Sequence, residues 1–152
     1  MSQEKFNKAI RENDVERVRL LSKDPRVDPA ANDSYAILWA SAHGHADVVK
    51  LLLVDGRVDP AANDNKAIRM ASAHGHADVV KLLLADRRVD PAARENYAIR
   101  EASEEGHTEA VKLLLADRRV DPTARENNAI VWASARGRVD VVKMLLADRR
   151  VD

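Results

Sequence analysis

Between residues 34 and 55 the apolar positions fall into two clusters with different spacing. Ile37, Ala40 and Ser41 follow an i, i+3, i+4 pattern, which predicts a short helix with one narrow face of small or branched residues. Val48, Val49, Leu51, Leu52 and Leu53 come next and predict a second helix that is apolar around most of its circumference, as a helix buried between layers must be. Gly44 divides the two and suits the left-handed conformation that closes a helix. Ser34 precedes the first cluster as an N-cap type, and Asp47 places a negative charge in the first turn of the second helix. Arg57 and then Pro60 end the unit, the proline because it cannot continue a helix.

This pattern returns every 31 residues, as Val27, Val58, Val89, Val120 and Val151 mark. Three full copies span residues 33–63, 64–94 and 95–125; a last copy spans 126–152, and a degraded one fills 1–32. Asn65, Asn96 and Asn127 repeat the N-cap type, Gly75, Gly106 and Gly137 the break, and Pro91 and Pro122 the stop. A period in this range predicts a single solenoid domain of stacked units, each burying its apolar face against its neighbours. The fold expected is an all-α repeat solenoid of helix–Gly–helix–Pro-loop units.

The stretch Gly44-His45 with Ala46-Asp47-Val48-Val49-Lys50-Leu51-Leu52-Leu53 resembles the ankyrin repeat, and it returns at 75–84, 106–115 and 137–146. Val58-Asp59-Pro60-Ala61 is similar to the segment leading into the ankyrin hairpin. Two departures stand out. Tyr35-Ala36-Ile37-Leu38 and its equivalents replace the family's Thr-Pro-Leu-His helix start, and the unit is two residues shorter than usual. The expectation is a tighter loop with little or no β-hairpin, and a first helix that starts early under a Ser34-type cap. The resemblance implies protein–protein recognition through a concave groove of loops and first helices, without chemistry.

Positions that differ among nearly identical copies are free of the stacking constraint. Four slots of the first helix differ: Tyr35, Lys66, Tyr97 and Asn128; Leu38, Arg69, Arg100 and Val131; Trp39, Met70, Glu101 and Trp132; His43, His74, Glu105 and Arg136. The last two slots lie four residues apart and so share a helix face. Aromatic residues and arginine dominate interface hot spots. By resemblance these slots line the groove, and Tyr35, Trp39, Met70, Tyr97 and Trp132 are its chief expected contacts. A bland reading places Trp39 and Trp132 in the core; Glu101 in the same slot argues against it, because burying an unpaired carboxylate is costly.

Charge adds a constraint. Lys+Arg 25 balance Asp+Glu 25, and the net sign alternates from copy to copy, so no basic stripe suggests nucleic acid. Histidine pairs His43/His45 and His74/His76 invite a metal reading, but equivalent helices of neighbouring repeats lie roughly 8–10 Å apart, too far to share an ion easily. His45, His76 and His107 are expected to bond locally at the start of the second helix. Glu101, Glu104, Glu105 and Glu109 form an acidic cluster that reads as a solvated face or a dock for a basic partner, and Arg69 and Arg100 are expected to pair with such acids across repeats. The pairs Arg87-Arg88, Arg118-Arg119 and Arg149-Arg150 read as dipole complements and inter-repeat partners of nearby Asp. No cysteine, nucleophile–base pair or phosphate loop occurs, so neither an enzyme nor a cofactor is expected. With no signal peptide and no apolar run of ~20 residues, an intracellular, cytoplasmic chain without membrane contact is expected.

The two ends differ. Lys8, Arg17 and Ser22 stand where Trp39, Val48 and Leu53 stand one period later, so residues 1–32 read as a polar capping repeat. Ile130, Val141, Val142, Met144, Leu145 and Leu146 keep the internal apolar pattern in the last copy. An open apolar face there is expected to associate, end to end with another copy or with the rest of a longer array. An assembly unit with no groove ligand is the competing function.

Overall fold

The computed structural model describes all of residues 1–152, with ten helices and no strand. In chain order they are α1 (Ser2–Arg11), α2 (Val15–Leu21), α3 (Ala31–Ala42), α4 (Ala46–Leu53), α5 (Ala62–Ala73), α6 (Ala77–Leu84), α7 (Ala93–Glu105), α8 (Thr108–Ala116), α9 (Ala124–Ala135) and α10 (Val139–Ala147). Each odd-numbered helix packs on the next odd one, and each even one on the next even one. The odd helices meet one another more extensively than the even ones do, and we call the side of the stack they occupy the inner face.

One continuous core of 30 buried residues runs through all five pairs. The first helices give it Ile37, Ala40, Ile68, Ala71, Ile99 and Ala102; the second helices give Val48, Val49, Leu52, Val79, Val80 and Leu83. Small residues allow the close approach of the first helices. Ser41, Ser72 and Ser103 share this stripe with fully buried hydroxyls that have no hydrogen-bond partner. An unsatisfied buried hydroxyl costs about 1–3 kcal/mol. Ser72→Ala is therefore expected to raise stability by about 1 kcal/mol, read as a higher urea midpoint at unchanged slope; a lower midpoint would contradict it.

Helix α3 ends in a Schellman motif: the N–H of His45 donates to the Ala40 carbonyl at 2.9 Å and that of Gly44 to Ser41 at 3.4 Å, with Gly44 at φ 72°. The histidine that follows each such glycine does not bond locally. His76 Nε2 donates to the Ala42 carbonyl of the preceding repeat at 2.9 Å, and His107 Nε2 to Ala73 at 2.9 Å. His45 reaches back to Ile10 through Nδ1 at 3.1 Å, and in the last repeat Arg138 Nε donates to the Glu104 carbonyl at 3.0 Å. The local role expected for these histidines is thus replaced by stitching between repeats: the last first-helix carbonyls have no partner within their own helix, and the next repeat supplies one.

A second stitch uses only one arginine of each pair. Arg88 donates to both oxygens of Asp86, at 3.0 and 2.7 Å, and to the carbonyls of Val58 (3.0 Å) and Leu53 (3.1 Å) in the preceding repeat. Arg57, Arg119 and Arg150 repeat this geometry, whereas Arg87, Arg118 and Arg149 are exposed and form no ion pair. The arginine hydrogen bonds hold the carboxyls of Asp55, Asp86, Asp117 and Asp148 below their ordinary value of 3.8. Burial pushes the His76 imidazole below its ordinary 6.5. All five groups bind protons more readily unfolded than folded, so stability falls with falling pH. A shallow loss is expected below about pH 6.5, set by His76. A steeper one is expected below about pH 4, set by the aspartates. Denaturant midpoints measured from pH 8 to 3 check this, and a flat profile would contradict it.

The loops depart from expectation most. Asn32, Asp33 and Ser34 have φ of 55°, 54° and 64°, a left-handed turn that precedes the right-handed part of α3. The same three positions are left-handed at 63–65, 94–96 and 125–127. Ser34, Asn65, Asn96 and Asn127 therefore do not cap their helices. Asn65 and Asn96 instead accept from the backbone N–H of Asp90 and Asp121, each at 2.7 Å, fastening the turn to the loop at the end of the same repeat. Left-handed backbone costs roughly 1–2 kcal/mol per residue and is least unfavourable for Asn and Asp, which fill most of these positions in the first two turns.

Candidate functional site

The odd helices and their left-handed turns form the inner face, and the variable slots lie along it. Toward the N-terminal end, Tyr35, Leu38, Trp39, His43, Lys66 and Met70 line a recess of about 410 Å³. Tyr35, Trp39 and His43 stack at successive turns of α3, with ring centroids 5.7 and 4.0 Å apart. His43 Nδ1 donates to the Trp39 carbonyl at 2.9 Å, which fixes the ring. His74 repeats that bond to Met70 at 2.9 Å. Trp39 is half-buried, neither a core residue nor a fully open one, and its indole N–H is out of solvent without an acceptor.

The middle of the face is built around Tyr97. Arg69 and Arg100 flank its ring, their guanidinium carbons 5.4 and 5.7 Å from its centroid. Neither pairs with the acids expected for it across repeats. Arg69 donates to the carbonyls of Asp64 (2.9 Å) and Asn63 (3.0 Å), and Arg100 to those of Glu95 (3.0 Å) and Arg94 (3.3 Å). Each brace satisfies the carbonyls that a left-handed turn aims at the helix behind it. Arg94 and Arg125 join them around a recess of about 630 Å³, paired with Asp64 and Glu95 at 3.2 Å each. Burial, then the nearby Glu101 charge, pushes the Tyr97 hydroxyl above its ordinary 10.0.

Acidic residues occupy the face beyond Tyr97. Glu101 holds the tryptophan slot, and burial followed by Glu104 raises its carboxyl above the ordinary value. Arg136 bridges Glu104 and Glu105, the latter at 3.3 Å, across the last repeat boundary. Asn128 accepts weakly from Arg100 at 3.5 Å. Trp132 is 45% and Val131 54% exposed, so the two tryptophans, equivalent by sequence, sit in different surroundings. The slots thus resolve into an aromatic recess, an arginine recess and an acidic end. Sequence reasoning missed Arg94, Arg125 and the turns that carry them; its available signals were the Asn-Asp runs at 32–33 and 63–64 and opposite charges 30 residues apart.

No three histidine, aspartate or glutamate side chains converge as a metal-ligand set. No helix is long and apolar enough to cross a membrane. A family model for ankyrin repeats in three copies matches residues 6–95 and 88–152. The chain belongs to the ankyrin-repeat family. Ankyrin repeats are generally protein–protein interaction modules and are generally not enzymes. In this ankyrin chain the left-handed turn stands in place of a projecting hairpin. Comparison with curated proteins finds no match.

Proposed function

We propose that this ankyrin-repeat protein is a non-catalytic scaffold that recognises another protein across the inner face of its odd helices. The observation that carries the reading is an overlap of two sets: each of the four slots that vary among near-identical repeats contributes residues to the two recesses, all from the three repeats spanning 33–125. Within them, Trp39 offers a half-buried indole held in a stack with Tyr35 and His43. In the same reading the chain is one domain with residues 1–32 as its polar cap, and it works in the cytoplasm.

The test is capture of a partner by wild type and by Trp39→Ala/Trp132→Ala, with folding of both verified by circular dichroism. Hot-spot truncation costs about 2 kcal/mol or more, roughly 30-fold in affinity. Equal capture by the two proteins would refute the groove. A second reading, end-to-end assembly through the last repeat, draws support from Val131, Trp132, Val139 and Leu146, which are all large and exposed there. Sedimentation distinguishes it: a strict monomer at high concentration would dismiss assembly and leave the groove untouched.

A further inference from the structure

We infer that the arginine recess around Tyr97 receives a phosphorylated side chain of an extended partner segment, while an apolar side chain of the same segment seats in the Trp39 recess. The inference rests on the groove reading above and names what that groove selects. Four guanidiniums, of Arg69, Arg94, Arg100 and Arg125, face two carboxylates, Glu95 in the recess and Asp64 beside it. Arg94 and Arg125 use those carboxylates; Arg69 and Arg100 form no ion pair, though the Glu101 charge acts on Arg100. The recess lining thus carries four guanidiniums against one carboxylate, an excess of positive charge that suits a phosphate monoester of charge about −2.

The recess is preorganised as well as charged. Arg69 and Arg100 each spend Nε and Nη2 on carbonyls of their own left-handed turn and lie against Tyr97, so the guanidinium planes are fixed before a ligand arrives. Arg69 keeps Nη1 free of any hydrogen bond within the chain. That nitrogen is the donor left for a phosphate oxygen, and holding it in place in advance removes an ordering cost from binding. The turns at 32–34 and 125–127 have Leu38 and Val131 in place of that arginine, so the arrangement belongs to the middle repeats alone.

Geometry sets the spacing. Neighbouring first helices lie roughly 10 Å apart, and an extended chain rises about 3.3 Å per residue, so one repeat corresponds to about three residues. Trp39 and Met70 belong to the second and third repeats and Tyr97 to the fourth, about one and a half repeats on. The apolar and phosphorylated residues of the partner are thus about four or five positions apart.

The experiment uses the full chain and two degenerate peptide pools with a fixed phosphoserine, leucine standing five residues before it in one pool and five after it in the other. Retention is compared with that of the same pools after phosphatase treatment. The phosphorylated form of one pool is expected to bind at least about tenfold better. The advantage is expected to vanish in Arg69→Gln/Arg100→Gln and to persist in Lys81→Ala, on the opposite row of helices. Should the first variant fail to fold, Arg94→Gln/Arg125→Gln, whose side chains are exposed, carries the same test. Retention indifferent to phosphatase but lost in Trp39→Ala would overturn the phosphate assignment and leave the groove standing. Retention indifferent to both would overturn the two together. Equal binding of a mixed-sequence oligonucleotide would overturn the peptide assignment in favour of phosphodiesters.

Discussion

Gly44→Ala is expected to cost about 3 kcal/mol, a large effect for one methyl group. Two costs add. The residue sits at φ +72°, where an alanine loses roughly 1 kcal/mol relative to glycine. A Cβ there would also lie 2.6 Å from Nδ1 and 2.9 Å from Cγ of His76 in the next repeat. That ring cannot simply swing away, because its Nε2 is bonded to the Ala42 carbonyl. The glycine and the following histidine are therefore one device: the missing side chain makes room for the stitch. A double-mutant cycle separates the two costs. His76→Ala removes the obstacle, so Gly44→Ala is expected to cost only its backbone share, about 1 kcal/mol, in that background. Equilibrium urea unfolding of the four proteins measures the coupling, and strict additivity would contradict the device.

Ile68→Ala is expected to cost about 3 kcal/mol and to loosen the array at its centre. Ile68 is fully buried on α5, in the third of five pairs, within the core that passes from one repeat to the next. Truncation leaves a cavity that the close-packed Ala and Ser stripe cannot collapse into without moving whole helices. A solenoid has no contacts beyond neighbouring repeats, so weakening a middle interface weakens the coupling between the two halves. Hydrogen exchange is the sensitive readout. In wild type the slowest amides of α4 and α8 are expected to share one opening free energy; in Ile68→Ala they are expected to differ. The same truncation at Ile130, half-buried on the last pair, is expected to cost less and to leave that agreement intact.

How much of this was legible in the sequence depended on whether the physics was local. The 31-residue period, the apolar helix faces and the glycine breaks are written in residue types whose preferences are strong, and they match the helices found from α3 to α10. The loop was legible only as an absence of hairpin. Arg94-Glu95 and Arg125-Glu126 have no preference for left-handed backbone, and nothing in their identity announces it. Asn65 and Asn96 were misread for a related reason: an asparagine before a helix is usually its cap, but here its oxygen meets a backbone N–H 25 residues on. The stitches by His76 and Arg88 were hidden the same way, since their partners lie 34, 30 and 35 residues back.

The candidate face was partly legible. Comparing copies singled out Trp39, Met70, Tyr97 and Arg100 because stacking does not constrain them. It could not separate Trp39, which stacks between Tyr35 and His43, from Trp132, whose neighbours in the last repeat are Asn128 and Arg136 on the same helix face. Nor could it assign Arg69 to backbone carbonyls instead of acids, because that choice is made by the direction the left-handed turn gives its carbonyls.

The most direct measurement is site-specific photocrosslinking from the two sides of the stack. A benzophenone side chain replaces exposed Lys66, on the inner face, or exposed Lys81, on α6. Position 66 is expected to yield a discrete adduct with another protein, competed by excess wild type but not by excess Trp39→Ala, while position 81 yields none. An adduct from position 81 alone, or one from position 66 that Trp39→Ala competes as well as wild type does, would contradict recognition across the odd-helix face.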